Sequence, residues 1–521
     1  MPKFHTSLVY NEYASYFKKI QFKTEFNTKL ISQLHIINRL KQKYVSTTLP
    51  LYTLKFNNHV KTHNQVPSDD LFFDLKSVKV DSKNNLKISA LLIFKFSVEF
   101  FFEWSLFLFY ILQNKMASKK HKLKNVSLFF GLGLESILSE NSDKRFVNYL
   151  ERYDDHKIEP LSRFSHLIVQ SAATIKSVSK NIEYTKYPQA YILKKIDMTW
   201  RQYFKVIFLH ALSLIDFFKI LFFHHELSFV IRDFASLRVL HFVAKNNMIS
   251  DVMYTISNYA AQPLWMRLSD HLNFKVHMIH YAQNTRQIVY KDYKVESVNP
   301  CFYHIYADTV WVWTDDYKMF AEKVYMSKDI RAVGPIMFYF PTEYPKKQII
   351  NKNEFTVSLF DVTPIHDAYA NQIGLLDNYY SGKNLVNFLT HVVDVCSRLE
   401  KDLQIKVKIF LKHKRSFNRN HDMTYINLCQ QLNLEGKLTL VDYNKNVFDL
   451  ISDTDTCIAI PYTSTAHICA YYNRQSFYYD PTDEVLLQPN FNDRVVLIGN
   501  QNELYIALKK KIFGKTQINL N

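Results

Sequence analysis

Phe355-Thr-Val-Ser-Leu-Phe360 is an apolar, β-branched run that passes directly into the polar turn Asp361-Val-Thr-Pro364. A run with so few polar interruptions reads as a strand buried on both faces, and such strands belong to parallel sheets covered by helices. The residues that follow repeat the pattern. Periodicity predicts a helix over 385–403, the strand Lys406-Val-Lys-Ile-Phe-Leu411, a helix over 425–432, and a strand over 438–441. A helix over 448–452 and the strand Thr456-Cys-Ile-Ala-Ile460 complete the series. Strands alternating with helices close by right-handed crossovers, so a doubly wound parallel sheet is expected.

Toward the N-terminus the same logic holds. Val126-Ser-Leu-Phe-Phe130 ends in Gly131-Leu-Gly133 and a helical pattern over 134–138, which reads as strand, tight turn, helix. Further strands are expected at 165–170, 251–256, 275–281 and 309–313, the last running into the helix cap Thr314-Asp315-Asp316. At 521 residues the chain has length for two domains and an added region. The expected division is a basic, helical region at 1–125 packed on an N-terminal Rossmann-like domain at 126–340. A Pro-containing polar linker then leads to a C-terminal Rossmann-like domain at 354–500 and a helical tail at 501–521.

Composition removes several classes. Only 8 glycines occur, and Gly131 and Gly133 are followed by no third, so neither a G-x-x-x-x-G-K nor a G-x-G-x-x-G phosphate loop can be built. Cys301, Cys396, Cys429, Cys457 and Cys469 form no C-x-x-C pair and lie beside no zinc-spaced histidines, so reduced thiols and no metal site are expected. Residues 1–8 carry no apolar core behind a basic segment, so a signal peptide is not expected and a cytoplasmic location is. The apolar stretches 86–113 and 206–223 are interrupted by Lys87, Lys95, Glu99, Glu103, Asp216 and Lys219, which favours buried or interfacial helices over membrane spans. The net charge of +17 and the cluster Lys115, Lys119, Lys120, Lys122 and Lys124 suit an anionic membrane surface. No nucleic-acid module accompanies them, so nucleic acid is not an expected partner.

Three loops leave the C-terminal ends of the predicted strands of the second half. They are Asp361-Val-Thr363-Pro364, Lys412-His413-Lys414-Arg415, and Pro461-Tyr462-Thr463-Ser464-Thr465. A nucleotide phosphate needs cations, which Lys412, His413 and Arg415 supply. It also needs hydroxyls or amides at a helix start, which Thr463, Ser464 and Thr465 supply. Taken singly, the first group is a solvated basic loop and the second a helix cap. Their convergence on one sheet edge makes them a site, with Asp361 and Thr363 completing the cofactor-binding set.

Asp361-Val-Thr-Pro364 together with Pro461-Tyr-Thr-Ser464 resembles the polysaccharide biosynthesis PFTS motif proteins of bacteria, with Tyr462 in place of the family's Phe. The resemblance is strongest over the last third, and weaker at Tyr281-Ala-Gln-Asn284, Ile256-Ser-Asn258 and Pro263-Leu-Trp265. It implies a GT-B-like α/β fold, two Rossmann-like domains facing a cleft, and a glycosyltransferase. The layout is also similar to GT-B enzymes that use CMP-activated acidic sugars through a Lys-Pro-His-Pro segment. Lys412-His413-Lys414-Arg415 stands at that segment without its two prolines, a departure from the pattern; from the remaining likeness a CMP-sugar is the leading expectation, with UDP- or GDP-sugars behind it.

The resemblance implies an inverting, metal-independent transfer from a nucleotide-sugar to a glycan or glycolipid acceptor of lipopolysaccharide or capsule, at the inner membrane face. No tightly bound cofactor is expected. The reaction needs a base for the acceptor hydroxyl, and Glu135 is the first candidate and Asp233 the second. Asp361, Asp367 and Asp480 keep a nucleotide-sugar epimerase or hydrolase open as an alternative. A non-enzymatic membrane- or polyanion-binding scaffold is the other.

Overall fold

The computed structural model describes residues 39, 78–80, 86–88, 90–116, 122–132, 158–171, 179–223, 225–255, 262–282, 288–292, 305–334, 353–367, 379–414, 416–418, 420–443, 445–486 and 493–518. The first elements are a two-strand antiparallel pair, β1 (Val78–Val80) and β2 (Leu86–Ile88), and a long helix, α1 (Ala90–Met116). An α/β series follows: β3 (Val126–Leu132), α2 (Glu159–Arg163), β4 (Leu167–Ser171), β5 (Ile182–Thr185), α3 (Pro188–Lys195), α4 (Trp200–Phe223) and α5 (Ile231–Lys245). It continues through β6 (Ile249–Thr255), β7 (Lys275–Ile279), β8 (Tyr306–Val312), α6 (Asp315–Val324) and β9 (Met326–Ala332). These seven strands, β3 to β9, form one parallel sheet in the order β5-β4-β3-β6-β7-β8-β9.

The second series is β10 (Glu354–Phe360), α7 (Gly382–Leu403), β11 (Lys406–Lys412), α8 (Met423–Leu434), β12 (Thr439–Val441), α9 (Val447–Asp453), β13 (Thr456–Ala459), α10 (Ser464–Tyr471), β14 (Ser476–Tyr479), β15 (Val495–Ile498) and α11 (Gln501–Ile518). Its sheet is parallel throughout, ordered β12-β11-β10-β13-β14-β15. Numbered along the chain this is 3-2-1-4-5-6, the order of dinucleotide-binding sheets, in which ligands sit where the order reverses. That reversal lies between β10 and β13 here and between β3 and β6 in the first sheet. The chain therefore has the expected α/β, GT-B-like architecture of two Rossmann-like sheets.

Local chemistry explains the elements. Six of the seven residues of β10 are buried, as a central parallel strand requires. Helix α7 starts where the Ser381 hydroxyl accepts from the Asn384 amide, and it stops at Gln404, which takes φ 53°. Between them Leu385, Phe388, Leu389, Val392, Cys396 and Leu399 form the inward stripe. Gly131 has φ 104°, and a Cβ there would lie 2.2 Å from Thr255 Oγ1, so only glycine lets β3 end against β6.

One buried apolar cluster joins the two sheets, with Phe129, Met253 and Trp311 from the first and Phe360, Ala459 and Tyr478 from the second. Residues 288–291, which follow β7, also cross over. Ile288 is buried in the core of the second sheet, and the Lys291 amide donates to Glu484 O at 2.7 Å.

The predicted strands and helices of the second half recur within a few residues of their expected bounds. The structure adds the short pair β1 and β2 and, within the two parallel sheets, β5, β9, β14 and β15, six strands that the apolar patterning does not mark. The two long apolar stretches are helices α1 and α4.

Candidate functional site at the second switch point

The loop after β10 is organised by Asp361. Its carboxylate is fully enclosed and accepts three hydrogen bonds: from His413 Nδ1 at 2.7 Å, the Tyr425 hydroxyl at 2.8 Å and the Lys414 amide at 2.9 Å. Burial first, and then the Asp361 charge, raises the Tyr425 pKa well above the usual phenol value, so this hydroxyl stays a donor. Asp361 is thus a hub that holds the loop after β11 against the loop after β10.

His413 is oriented by that hub. Because Asp361 accepts at Nδ1, the ring is held in one orientation and Nε2 is the nitrogen left to face a ligand. Nε2 is buried and has no hydrogen-bond partner among the described residues, while the ring is flanked by Phe417 at 4.4 Å between centroids. An orphaned nitrogen on a buried, pre-oriented imidazole, beside the reversal of strand order, is the feature of this edge that most calls for a ligand.

The third loop, 461–465, is braced by tyrosines. Tyr462 has φ 63°, a backbone conformation that a bulky side chain adopts only when its surroundings hold it there. Its hydroxyl donates to Leu486 O at 2.8 Å, Tyr380 donates to Pro461 O at 2.9 Å, and Tyr478 donates to Thr463 O at 2.5 Å. Leu486 is itself fastened through its amide to Val289 O at 2.8 Å. The brace thus reaches the crossing segment of the first sheet.

Thr463 is the N-cap of α10, and its hydroxyl donates to Ile460 O at 3.0 Å. Ser464 and Thr465 occupy the first turn and are half-buried. This puts helix amides and hydroxyls next to the loop that carries Asp361 and Thr363, as phosphate binding requires. Lys412 is buried, with Nζ donating to Tyr443 O at 2.6 Å. Thr363 is buried too, whereas Arg415 lies outside the described residues. Asp480 is enclosed, accepting from Tyr379, Thr482 and the Val485 amide, and Asp367 is exposed. The bracing residues Tyr380, Tyr425 and Tyr478 were not singled out from the sequence, since a tyrosine's brace is set by what its hydroxyl reaches in space.

The first switch point has different chemistry. A cavity of about 140 Å³ opens there, bordered by Phe130 of β3, Tyr254 of β6 and Gln170 of β4. Its charged lining is Arg39, Arg232, Glu103 and Asp233, two cations against two anions. Asp233 Oδ2 accepts from Arg39 Nε at 2.9 Å and from the Leu264 amide at 3.0 Å, while Arg232 pairs with Glu103 at 3.0 Å. Trp265, from the Pro263-Leu-Trp265 segment, adds a buried indole N–H with no partner. Glu135 lies outside the described residues.

Among the described residues no group of three or more His, Cys, Asp and Glu side chains could hold a metal ion. Cys396, Cys429, Cys457 and Cys469 are buried and unpaired in disulfides. Of the lysine cluster, Lys115 and Lys122 are engaged within the fold. Lys115 Nζ donates to Met198 O and lies 4.2 Å from the Trp200 ring, and Lys122 Nζ donates to Asn114 O and Lys194 O.

The profile of the family described as "Polysaccharide biosynthesis PFTS motif protein" matches residues 213–508. No curated protein matches the chain by sequence. Among solved structures, a glycosyltransferase from Rickettsia africae ESF-5 is similar at 11% identity and TM-score 0.37, covering 74% of this chain and 88% of that one. The wall teichoic acid polymerase TagF is similar at 12% and 0.37, covering 82% and 92%. MurG of Acinetobacter baumannii is similar at 10% and 0.30, covering 75% and 91%.

Proposed function

Because the chain belongs to the polysaccharide biosynthesis PFTS motif family, we propose that it is a glycosyltransferase with its donor nucleotide at the edge between β10 and β13. The observation that carries this reading is the buried Nε2 of His413, without a partner among the described residues and oriented by Asp361 at the sheet edge from which α10 also starts. As an imidazolium, with Nδ1–H on Asp361, His413 donates from Nε2 to a donor phosphate oxygen. The Ser464 and Thr465 hydroxyls and the amides of the first turn meet the others, and Lys412 and Arg415 supply charge.

As the sugar leaves, negative charge grows on the departing phosphate. Fixed donors in a buried site stabilise it without a metal. Attack by the acceptor hydroxyl from the opposite side inverts the anomeric centre. The base is Glu135 or Asp233, from the first domain, whose polar cavity receives the acceptor. The donor is a nucleotide-sugar, with a CMP-activated acidic sugar favoured over UDP- and GDP-sugars. The acceptor is a growing surface glycan or glycolipid, of the lipopolysaccharide or capsule kind, met at the cytoplasmic face of the membrane. The domains proposed to carry these roles are 126–340 for the acceptor and 354–500 for the donor, flanked by 1–125 and 501–521.

The test is to incubate the protein with CMP-, UDP- and GDP-sugars, with and without a bacterial membrane fraction, and to measure free nucleotide and labelled glycan. Nucleotide release that requires the membrane fraction and accompanies label in glycan is expected. Donor consumption without any acceptor would overturn transfer in favour of an epimerase or hydrolase.

A further inference from the structure

Helices α1 and α4 lie side by side and antiparallel. Phe101 meets Phe217 at 4.9 Å between centroids, Trp104 stacks on His210 at 4.7 Å, and Lys115 near the end of α1 covers Trp200 at the start of α4. Each buries one face in the first domain. The inward side of α4 carries Tyr203, Val206, His210, Ser213, Phe217 and Ile220.

The outward faces are apolar as well. On α4, Phe204, Phe208, Ile215, Phe218 and Phe222 recur at spacings of one or two helical turns and are each 49–63% exposed. On α1, Phe94, Val98, Phe101, Phe109 and Leu112 do the same at 42–66%. Large exposed apolar surfaces of this kind mark an interaction site.

Charge decides what covers the surface. Both helices carry acids in their middles, but Glu103 and Asp216 turn inward and are held by Arg232 and Arg238. The remaining acid, Glu99, is half-buried. Lys95, Arg201, Lys205 and Lys219 are exposed along the same two helices. An aromatic, apolar surface studded with cations is complementary to an anionic bilayer, whose headgroups take the charges and whose acyl boundary takes the rings.

α4 alone among the described helices is long and apolar enough to cross a membrane, and a third of that window is buried in the protein. Its paired Asp216 and packed inner face are suited to lying flat rather than to crossing.

We propose that the α1–α4 face is a docking surface that seats the protein in the interfacial layer of an anionic membrane, both helices parallel to the bilayer plane. The proposal rests on the reading of the protein as one that works at a membrane, and it names the surface that does so. It does not depend on the donor site.

The test is co-sedimentation of the full chain with vesicles of pure phosphatidylcholine and of equimolar phosphatidylcholine and phosphatidylglycerol. It is repeated on a triple variant, Phe204→Ser, Phe208→Ser and Phe218→Ser, whose fold is checked by circular dichroism. Binding to the anionic vesicles, weakened at least about tenfold in the variant and reversed by an alkaline carbonate wash, is the expected result. Three outcomes overturn the proposal: no binding by the unmodified chain, equal binding by the variant, or retention through carbonate as a spanning helix would show. Conversion of a dimer to a monomer by the triple variant, with no vesicle binding, also overturns it and assigns the face to a second copy. Nucleotide titration of the same variant separates this from the donor site, because its nucleotide binding stays unchanged if only the docking surface is at fault.

Discussion

At the sheet edge around the reversal between β10 and β13, a histidine nitrogen after β11 is buried without a partner among the described residues, and a helix starts after β13. At the reversal between β3 and β6, the charged side chains are paired off, Arg39 with Asp233 and Arg232 with Glu103, around a small cavity. Two sheets with the same central strand order thus present opposite chemistry at equivalent places. The fold supplies the location in both cases, and the loops decide what each can hold. The reading proposed above gives the second edge to an anion and the first, with its charges paired, to a neutral, hydroxyl-rich group.

The sharpest way to break this contrast is to remove the central carboxylate on each side. Asp361→Ala strips three donors of their acceptor in a closed site and is expected to lower stability by about 3–5 kcal/mol in chemical denaturation. Asp233→Ala takes from the buried Arg39 its carboxylate partner at 2.9 Å and from the Leu264 amide its acceptor, and is expected to lower stability as well. Nucleotide affinity separates them, falling in the first variant and holding in the second. Equal loss of affinity in both would erase the distinction between the two edges.

Acid sensitivity should also divide the halves. His280 and His210, both in the first half, have no partner at either ring nitrogen among the described residues, and burial pulls their pKa values down from 6.5 to about 3 and about 4. A folded-state value below the unfolded one means that the neutral ring is favoured inside. Stability is therefore full above about pH 6.5 and is lost as pH falls toward the folded values. Between pH 7.5 and pH 5 the loss is on the order of 2 kcal/mol for each histidine. Thermal melts of the unmodified chain and of a His210→Leu, His280→Leu double variant measure it, and the variant is expected to lose less on acidification.

Two smaller effects sharpen the second edge. Ser464→Ala removes a hydroxyl proposed to meet the donor phosphate and is expected to weaken nucleotide binding about tenfold, as read by calorimetry. Tyr462→Phe restores the side chain of the family motif, removes the bond to Leu486 O, and is expected to cost about 1 kcal/mol in a thermal melt.

Much of this was legible in the sequence where one principle acted alone. The strands at 355–360, 406–411 and 456–460 are uninterrupted apolar runs, and β10, β11 and β13 sit where those runs are. Ser476-Phe-Tyr-Tyr479 and Val495-Val-Leu-Ile498 are only four residues each, too short for periodicity to separate strand from loop, and they become strands by pairing beside β13. Ile182-Glu-Tyr-Thr185 and β9 are the outer strands of their sheet and carry polar residues, which hides them.

At the site, the residue types at the strand ends could be read from the chain, but their division of labour could not. Asp361 stands beside Thr363 in the sequence as one more polar loop residue. Only its contacts with His413, Lys414 and Tyr425, 52 to 64 positions away, make it the residue that aims the histidine. In the lysine cluster, that Lys115 and Lys122 are tied to carbonyls could likewise not be read from the chain. The exposed cations of the apolar face belong to helix positions that alternate with buried ones.

The claim that a donor nucleotide is held by His413 at the second switch point is tested most directly by calorimetric titration of CMP, UDP and GDP into the purified chain and into His413→Ala. One nucleotide is expected to bind saturably, with affinity lowered tenfold or more in the variant. Failure of all three to bind, or equal binding by His413→Ala, would contradict it.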